Sequence, residues 1–152
     1  METKTVSSTP SKRILLVDDN VHDAELTLML LRENDVDVVV DVAKDGAEAL
    51  DYLYRRGAYA NRSTDEPFLV LLDLKMPRVT GIQVLTQIRS DKRLRLMPVV
   101  IFTSSRESQD LQDCYENGAN GYVVKPVDAK QFRQALKNLS AYWLSTNERQ
   151  WW

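Results

Sequence analysis

The sequence has one cysteine, Cys114, and low numbers of glycine and proline, five of each among 152 residues. A single cysteine excludes an internal disulfide and a zinc site built from cysteine pairs. The low glycine and proline content argues against a fibrous or low-complexity chain. No apolar run approaches the roughly 18 residues that cross a bilayer, and the polar N-terminus lacks the apolar core of an export signal. We therefore expect a cytoplasmic protein without a membrane partner.

An excess of either charge is also missing, because 20 basic residues nearly balance 22 acidic ones and leave a net charge of −2. A chain without excess positive charge is not expected to bind nucleic acid in general. Apolar residues make up 43% of the chain, which is near the globular average. We predict one domain over residues 12–145, preceded by a flexible arm at 1–11 and followed by a tail at 146–152.

The apolar pattern alternates between short strand-like runs and longer stretches with helical period. Continuous runs such as Ile-Leu-Leu-Val are typical of strands buried on both faces. Strands are predicted at 14–17, 36–42, 68–72, 98–102 and 122–124, and helices at 21–33, 45–56, 81–90, 105–117 and 128–144. This alternation predicts a doubly wound α/β domain with a five-stranded parallel sheet in the order 2-1-3-4-5. The long polar stretch 55–66 is interpreted as a surface insertion rather than a lid.

Acidic residues follow two strands that are neighbours in that sheet. Asp18 and Asp19 end the first strand, and Asp73 ends the third. Doubly wound sheets bind ligands beyond the carboxyl ends of their strands, where the strand order reverses, so we expect these carboxylates to converge. Clustered carboxylates repel one another unless a cation neutralises them. Ligation by oxygen alone favours Mg²⁺ over zinc, and Mn²⁺ or Ca²⁺ can take its place.

Two further strand ends point into the same crevice. The fourth strand ends in the hydroxyl residues Thr103, Ser104 and Ser105, and the fifth ends in Lys125 and Pro126. Carboxylates, a hydroxyl and a lysine around Mg²⁺ are the groups that handle a phosphoryl group. The cations offset the charge on its oxygens, and a carboxylate oxygen can accept it.

Four motifs in this order resemble the receiver domain of two-component response regulators over about residues 12–145. They are ILLVDDN at 14–20, LVLLDLKMPRVTG at 69–81, VVIFTSS at 99–105 and YVVKP at 122–126. The resemblance implies the flavodoxin-like receiver fold, with Asp73 as the phosphoacceptor. It also implies that Asp18 and Asp19 bind Mg²⁺, together with the main-chain carbonyl of Lys75.

The resemblance assigns further roles around the phosphoacceptor. Thr103 would be the switching hydroxyl, Tyr122 the aromatic rotamer switch and Lys125 the cation that pairs with the phosphate. Similar proteins have a cis bond before the matching proline, so we expect a cis bond between Lys125 and Pro126. Ser104 is also expected to contact the phosphate. Lys75 stands where many receivers have a short polar side chain, and its cation could contact the phosphate or screen attacking water.

The insertion at 55–66 and the aromatic end AYWLSTNERQWW resemble the stand-alone receivers that serve bacterial phytochrome-type histidine kinases. A sensor histidine kinase of that type is the expected partner. Tryptophans on a tail are typical of burial against a second chain. We predict a homodimer through the fourth helix, fifth strand and fifth helix, involving Phe132, Trp143, Trp151 and Trp152. A loose tail without a partner is the alternative.

We predict a single-domain response regulator that signals through protein contacts, with no DNA-binding output domain. It would not be a separate enzyme but a phosphoacceptor that assists its own phosphoryl transfer and dephosphorylation. One alternative is a pseudo-receiver that binds partners without accepting phosphate. Another is a doubly wound enzyme, although a phosphohydrolase of the aspartyl-phosphate type would have an acid where Lys75 stands. The sequence also lacks the glycine-rich loops that bind nucleotides.

Overall fold

The computed structural model of the chain describes residues 12–63 and 65–149, where five β-strands alternate with five α-helices. The strands are β1 Arg13–Val17, β2 Val39–Ala43, β3 Leu69–Leu72, β4 Val99–Thr103 and β5 Gly121–Val124. The helices are α1 Val21–Asn34, α2 Gly46–Tyr54, α3 Gly81–Ser90, α4 Ser108–Glu116 and α5 Ala129–Ala141. None of these helices is both long and apolar enough to span a membrane. The predicted arm at 1–11 and the end of the tail lie outside the described residues.

The strands form one parallel sheet in the order β2-β1-β3-β4-β5, which confirms the predicted topology. Successive side chains of a strand point to opposite faces of a sheet. On β1, Leu15 and Val17 pack in one core with α2 and α3, whereas Ile14 and Leu16 pack in a second core with α1 and α5. Helices therefore cover both faces of the sheet, and β1 and β3 end side by side at one edge.

Several element boundaries differ from the prediction by a few residues. β2 begins at Val39 rather than at 36, because Asp35 ends α1 and closes a turn before the strand. α4 begins at Ser108 rather than at 105, because Ser105 belongs to a hydrogen-bonded loop that precedes the helix. α5 ends at Ala141 and continues as a short π-helical turn.

The peptide bond between Lys125 and Pro126 is trans, and the described part of the chain contains no cis bond. The expected cis bond is therefore wrong for this structure. The trans form of an X–Pro bond is lower in energy by roughly 0.5–1 kcal/mol. The Lys125 N–H donates to the Thr103 carbonyl at 2.7 Å, which carries the pairing of β4 and β5 one residue beyond the strand.

Hydrogen bonds of arginine side chains attach the predicted insertion between α2 and β3 to the rest of the domain. The Arg62 guanidinium donates to the Tyr52 carbonyl at 2.7 Å and lies over the Tyr52 ring. The buried Glu66 carboxylate accepts hydrogen bonds from Arg62 at 3.2 Å and Arg55 at 3.4 Å, and also from Arg93. Arg93 lies between α3 and β4, so one carboxylate ties the insertion to a distant loop.

Candidate functional site

The carboxylates predicted to converge lie together at the carboxyl ends of β1 and β3. Asp18 and Asp73 each continue the strand before them, since their N–H groups donate to carbonyls of neighbouring strands. Asp18, Asp19 and Asp73 each offer a carboxylate oxygen, and these three oxygens lie within 4.8 Å of one another. Asp18 and Asp73 are buried, whereas Asp19 is exposed. The cluster is thus anchored on the buried sheet and open to solvent on one side.

A close backbone approach fixes the loop that carries the phosphoacceptor candidate. Gly81 begins α3, and a Cβ there would lie 2.2 Å from the Asp73 carbonyl oxygen and 2.8 Å from the Leu74 Cα. Its N–H donates to the Leu74 carbonyl at 3.0 Å, which folds the loop back on the end of β3. The Asp73 Oδ1 also accepts from the Leu74 N–H at 2.7 Å. Any side chain at position 81 would displace this loop.

Lys125 brings an ammonium group into the acidic cluster from the end of β5. Its side chain is 6% exposed. Its Nζ donates to Asp18 at 2.7 Å, to Asp23 at 3.0 Å and to Asp73 at 3.3 Å. The structure therefore joins the predicted lysine to two of the predicted acids and to a further acid, Asp23, which the sequence analysis did not assign.

The charges of the cluster shift the pKa values of its buried members. Burial raises the pKa of Asp18, although hydrogen bonds from Lys125 and from the Asn20 N–H oppose that shift. Burial acts to lower the pKa of Lys125, but its hydrogen bond to Asp18 and the charges of Asp73 and Asp18 outweigh burial and raise it. The lysine is therefore held in its charged form. One ammonium does not balance the surrounding carboxylates, so the site is strongly anionic.

The oxygen donors of this site fit a hard divalent cation. Three carboxylate oxygens from Asp18, Asp19 and Asp73 are close enough to share one ion. Such an ion would offset the mutual repulsion of the acids, and carboxylate oxygens are the ligands that Mg²⁺ and related cations prefer.

Thr103 lies at the end of β4, beside β3, and is fully buried. Its Oγ1 accepts a hydrogen bond from the Ser105 N–H at 3.4 Å. Ser104, which lies between them, is exposed. The two hydroxyl residues thus occupy different environments: Thr103 is buried inside the domain, whereas Ser104 faces solvent.

The Lys75 side chain points toward α4. Its Nζ pairs with Asp110 Oδ2 at 3.2 Å, and 65% of the side chain is exposed. Asp110 also accepts a hydrogen bond from the Ser105 hydroxyl, and this bond together with Lys75 lowers the pKa of Asp110. The Tyr122 hydroxyl donates to the Ser105 carbonyl at 3.1 Å. A polar chain therefore connects the loop after β3, the first turn of α4 and the aromatic residue of β5.

The aromatic residues predicted to form an interface occupy different positions. Phe132 is a core residue of α5, 5% exposed, with its ring edge-to-face against Phe102 at 5.4 Å. Trp143 is half-buried and packs edge-to-face against Tyr142. Trp151 and Trp152 lie outside the described residues. Because Phe132 is enclosed by its own chain, its side chain offers almost no surface to a second copy.

The chain matches a protein-family model over most of its length. The model described as the response regulator receiver domain matches residues 14–137. The chain belongs to this family. The resemblance to receiver domains and the predicted doubly wound α/β fold are both confirmed.

Among solved structures, this receiver domain is similar to the bacteriophytochrome response regulator AtBRR, with 48% identity over 92% of this chain and 100% of that chain and a TM-score of 0.74. It is 38% identical to the phosphorylated cyanobacterial phytochrome response regulator RcpA, over 91% of this chain and 97% of that one, with a TM-score of 0.85.

A third relative is response regulator Rcp1 of Synechocystis sp., which is 33% identical over 139 residues, covering 91% of this chain and 93% of Rcp1. The Mn²⁺-bound structure of Rcp1 has a TM-score of 0.85 and covers 92% of this chain and 99% of that chain. The narrower resemblance to receivers of phytochrome signalling is therefore also confirmed.

Proposed function

We propose that this receiver domain accepts a phosphoryl group from a histidine kinase on Asp73 and signals through contacts with other proteins. The observation that carries the proposal is the environment of Asp73. Its carboxylate is buried and lies close enough to those of Asp18 and Asp19 for the three to bind one metal ion. It also lies 3.3 Å from the Lys125 ammonium. A carboxylate oxygen in that setting can act as a nucleophile, while cations on both sides offset the charge of the incoming group.

In the proposed reaction, the bond between the kinase's histidine nitrogen and phosphorus breaks as a bond from an Asp73 oxygen to phosphorus forms. Mg²⁺ held by Asp18, Asp19, Asp73 and the Lys75 carbonyl would supply charge neutralisation at the phosphoryl oxygens. Lys125 would donate to a phosphoryl oxygen, with Thr103 and Ser104 as further donors. Mn²⁺ or Ca²⁺ would be able to take the place of Mg²⁺, and the Mn²⁺-bound form of Rcp1 supports the choice of Mn²⁺. The same groups would assist dephosphorylation, with water as the attacking nucleophile.

Signalling would follow from rearrangement of Thr103 and Tyr122 after phosphorylation. Thr103 would turn toward the acyl phosphate, and Tyr122 would move with the loop that its hydroxyl contacts at the Ser105 carbonyl. Conversion of the Asp73 carboxylate to an acyl phosphate adds about one negative charge, which can bias a two-state element. The chain from Lys75 through Asp110 to Ser105 gives that charge a route to α4.

We further propose that the kinase partner is of the phytochrome type. The support is that AtBRR and RcpA, which match nearly the whole chain, are themselves regulators of bacteriophytochrome and cyanobacterial phytochrome signalling. Profiling phosphotransfer from the histidine kinases of the source organism tests this choice. A preferred donor with a phytochrome sensor supports it, and a preferred donor with another sensor contradicts it.

A homodimer through α4, β5 and α5 is part of the proposal. β5 is an edge strand and only half-buried. On the neighbouring α4, Leu111 and Tyr115 are 41% and 51% exposed and lie four residues apart, on one face of the helix. Trp143 follows α5 and is half-buried. Exposed apolar side chains beside an open sheet edge are suited to burial against a second copy.

Replacement of Asp73 by asparagine tests the acceptor. We expect acetyl phosphate to phosphorylate the wild type in the presence of Mg²⁺, and beryllofluoride to bind it, with neither reaction in Asp73→Asn. The amide is isosteric but lacks the nucleophilic oxygen. Intact-mass measurement and ¹⁹F NMR provide the readouts. Asp37→Asn makes the same change at an exposed aspartate between α1 and β2 and should behave as the wild type. Equal modification of both variants would contradict the assignment.

A further inference from the structure

Asp23 is a member of the acidic cluster that the proposed phosphoryl transfer does not use. It is the third residue of α1, and its N–H donates to the side chain of Asn20, which caps the helix. An acid in the first helical turn usually stabilises the helix through its interaction with the helix dipole. Here its Oδ2 also accepts a hydrogen bond from Lys125 Nζ at 3.0 Å, across 102 residues of sequence. Helix stabilisation alone does not require that contact.

Asp23 accepts one of the hydrogen bonds that the Lys125 ammonium can donate within the site. An ammonium group has three N–H donors. In this structure one lies toward Asp18, one toward Asp73 and one toward Asp23. Asp18 is 1% exposed and Asp23 is 36% exposed, so Asp23 holds the lysine from the rim of the site. It therefore takes up one donor and part of the charge that an incoming phosphoryl group would otherwise meet.

We propose that Asp23 is a positioning residue that restrains Lys125 and thereby limits how tightly the site holds a phosphoryl group on Asp73. This inference rests on the proposed function. A phosphoryl oxygen must compete with Asp23 for the ammonium, and the Asp23 charge also repels the anion. Removal of that charge weakens the competing hydrogen bond from Lys125 and reduces the repulsion. Because the rim is partly open to solvent, screening keeps the effect moderate, about a three- to fivefold gain in affinity for a phosphoryl mimic.

The test compares binding of beryllofluoride and of Mg²⁺ by the full chain carrying Asp23→Asn. Asparagine keeps the size of the side chain and leaves the helix cap from Asn20 intact. We expect beryllofluoride at saturating Mg²⁺ to bind this variant about three- to fivefold more tightly than it binds wild type. Affinity for Mg²⁺ alone should not rise, because a negative charge has been removed. A merely structural role would not separate the two affinities, since a loosened site would lose both.

Three further variants make the result specific. Asp23→Glu restores the charge and should return beryllofluoride affinity toward that of wild type. Asp23→Ser, a second neutral change suited to a first helical turn, should reproduce the gain. Glu25→Gln removes one charge from the exposed side of the same helix and should leave affinity within about twofold of wild type.

The outcomes separate this inference from the proposed function. If wild type binds beryllofluoride and Asp23→Asn binds it equally or less tightly, Asp23 does not restrain the lysine. If Glu25→Gln gains as much as Asp23→Asn, the effect is general electrostatics and the inference is also overturned. If wild type binds no beryllofluoride while Mg²⁺ is bound, the proposed phosphoacceptor function fails, and this inference fails with it.

Discussion

At the scale of single residues, Lys125 contacts acids that come from three separate parts of the chain. Its ammonium group lies within 3.3 Å of carboxylates that follow β1, begin α1 and follow β3. Neutralisation of a buried cation leaves its partners uncompensated, which typically costs roughly 3–5 kcal/mol. Burial already raises the pKa of Asp18, and loss of the Lys125 charge would raise that pKa further.

We therefore expect Lys125→Gln to lower the free energy of unfolding by about 2–4 kcal/mol at neutral pH without divalent cations. Mg²⁺ should recover part of this loss, because the ion offsets the same carboxylates and binds only the folded state. Urea unfolding with and without Mg²⁺ measures both effects. Lys130→Gln, at an exposed position of α5, should change stability by less than about 0.5 kcal/mol. A Lys125→Gln variant as stable as wild type without Mg²⁺ would contradict the expectation.

The residue-level predictions succeed where strand topology decides the outcome. Asp18, Asp19 and Asp73 follow adjacent parallel strands, so their convergence can be predicted from the strand order. The contact of Asp23 with Lys125 could not be predicted in this way, because it depends on how α1 is oriented against the end of β5. The direction of the Lys75 side chain depends on the loop before α4 and has no comparable signal in the sequence.

At the scale of elements, one carboxylate joins the insertion between α2 and β3 to the loop before β4. Glu66 is buried and accepts hydrogen bonds from arginines of the insertion and of the loop before β4. The three guanidinium groups of Arg55, Arg62 and Arg93 therefore meet at one acid. Arg93 also donates to the Leu53 carbonyl at the end of α2, which ties the two loops to the same helix.

We expect Glu66→Gln to destabilise the fold by about 2–3 kcal/mol, because the amide carries no charge and accepts fewer hydrogen bonds from the arginines. Limited proteolysis of the native protein should then cut first in the insertion. Urea unfolding and mass mapping of the first cleavage site are the measurements. Glu116→Gln on the exposed side of α4 is the matched control. It should change neither the free energy of unfolding nor the first cleavage site. First cleavage elsewhere in the domain would contradict the attachment of the insertion through Glu66.

The sequence predicted the order and type of these elements because buried strands and amphipathic helices have distinct apolar periods. It predicted the ends of elements less well. Hydrogen bonds around Ser105 decide where α4 begins, and a turn at Asp35 decides where β2 begins. The spacing of apolar residues carries no information about either feature. The insertion was recognised by its polarity, but its attachment through Glu66 depends on residues brought together only by the folded sheet.

At the scale of the whole molecule, the proposed dimer depends on the face formed by α4, β5 and α5. The polar chain from Lys75 reaches that face at Asp110 of α4 and Tyr122 of β5, so phosphorylation and dimer contacts would affect the same region. A change in the position of α4 would then alter the exposed side chains of Leu111 and Tyr115. Oligomeric state is therefore the property of the whole molecule through which the phosphorylation site would act.

We expect light scattering at micromolar concentration to give twice the chain mass of 17.5 kDa for wild type and the single-chain mass for Leu111→Glu. A buried glutamate without a partner would oppose association at this face. Met29→Glu is the matched control, since Met29 is 49% exposed on α1, outside the proposed interface, against 41% for Leu111. It should remain a dimer. A wild type that scatters as one chain would refute the dimer, and dissociation of both variants would place the interface elsewhere.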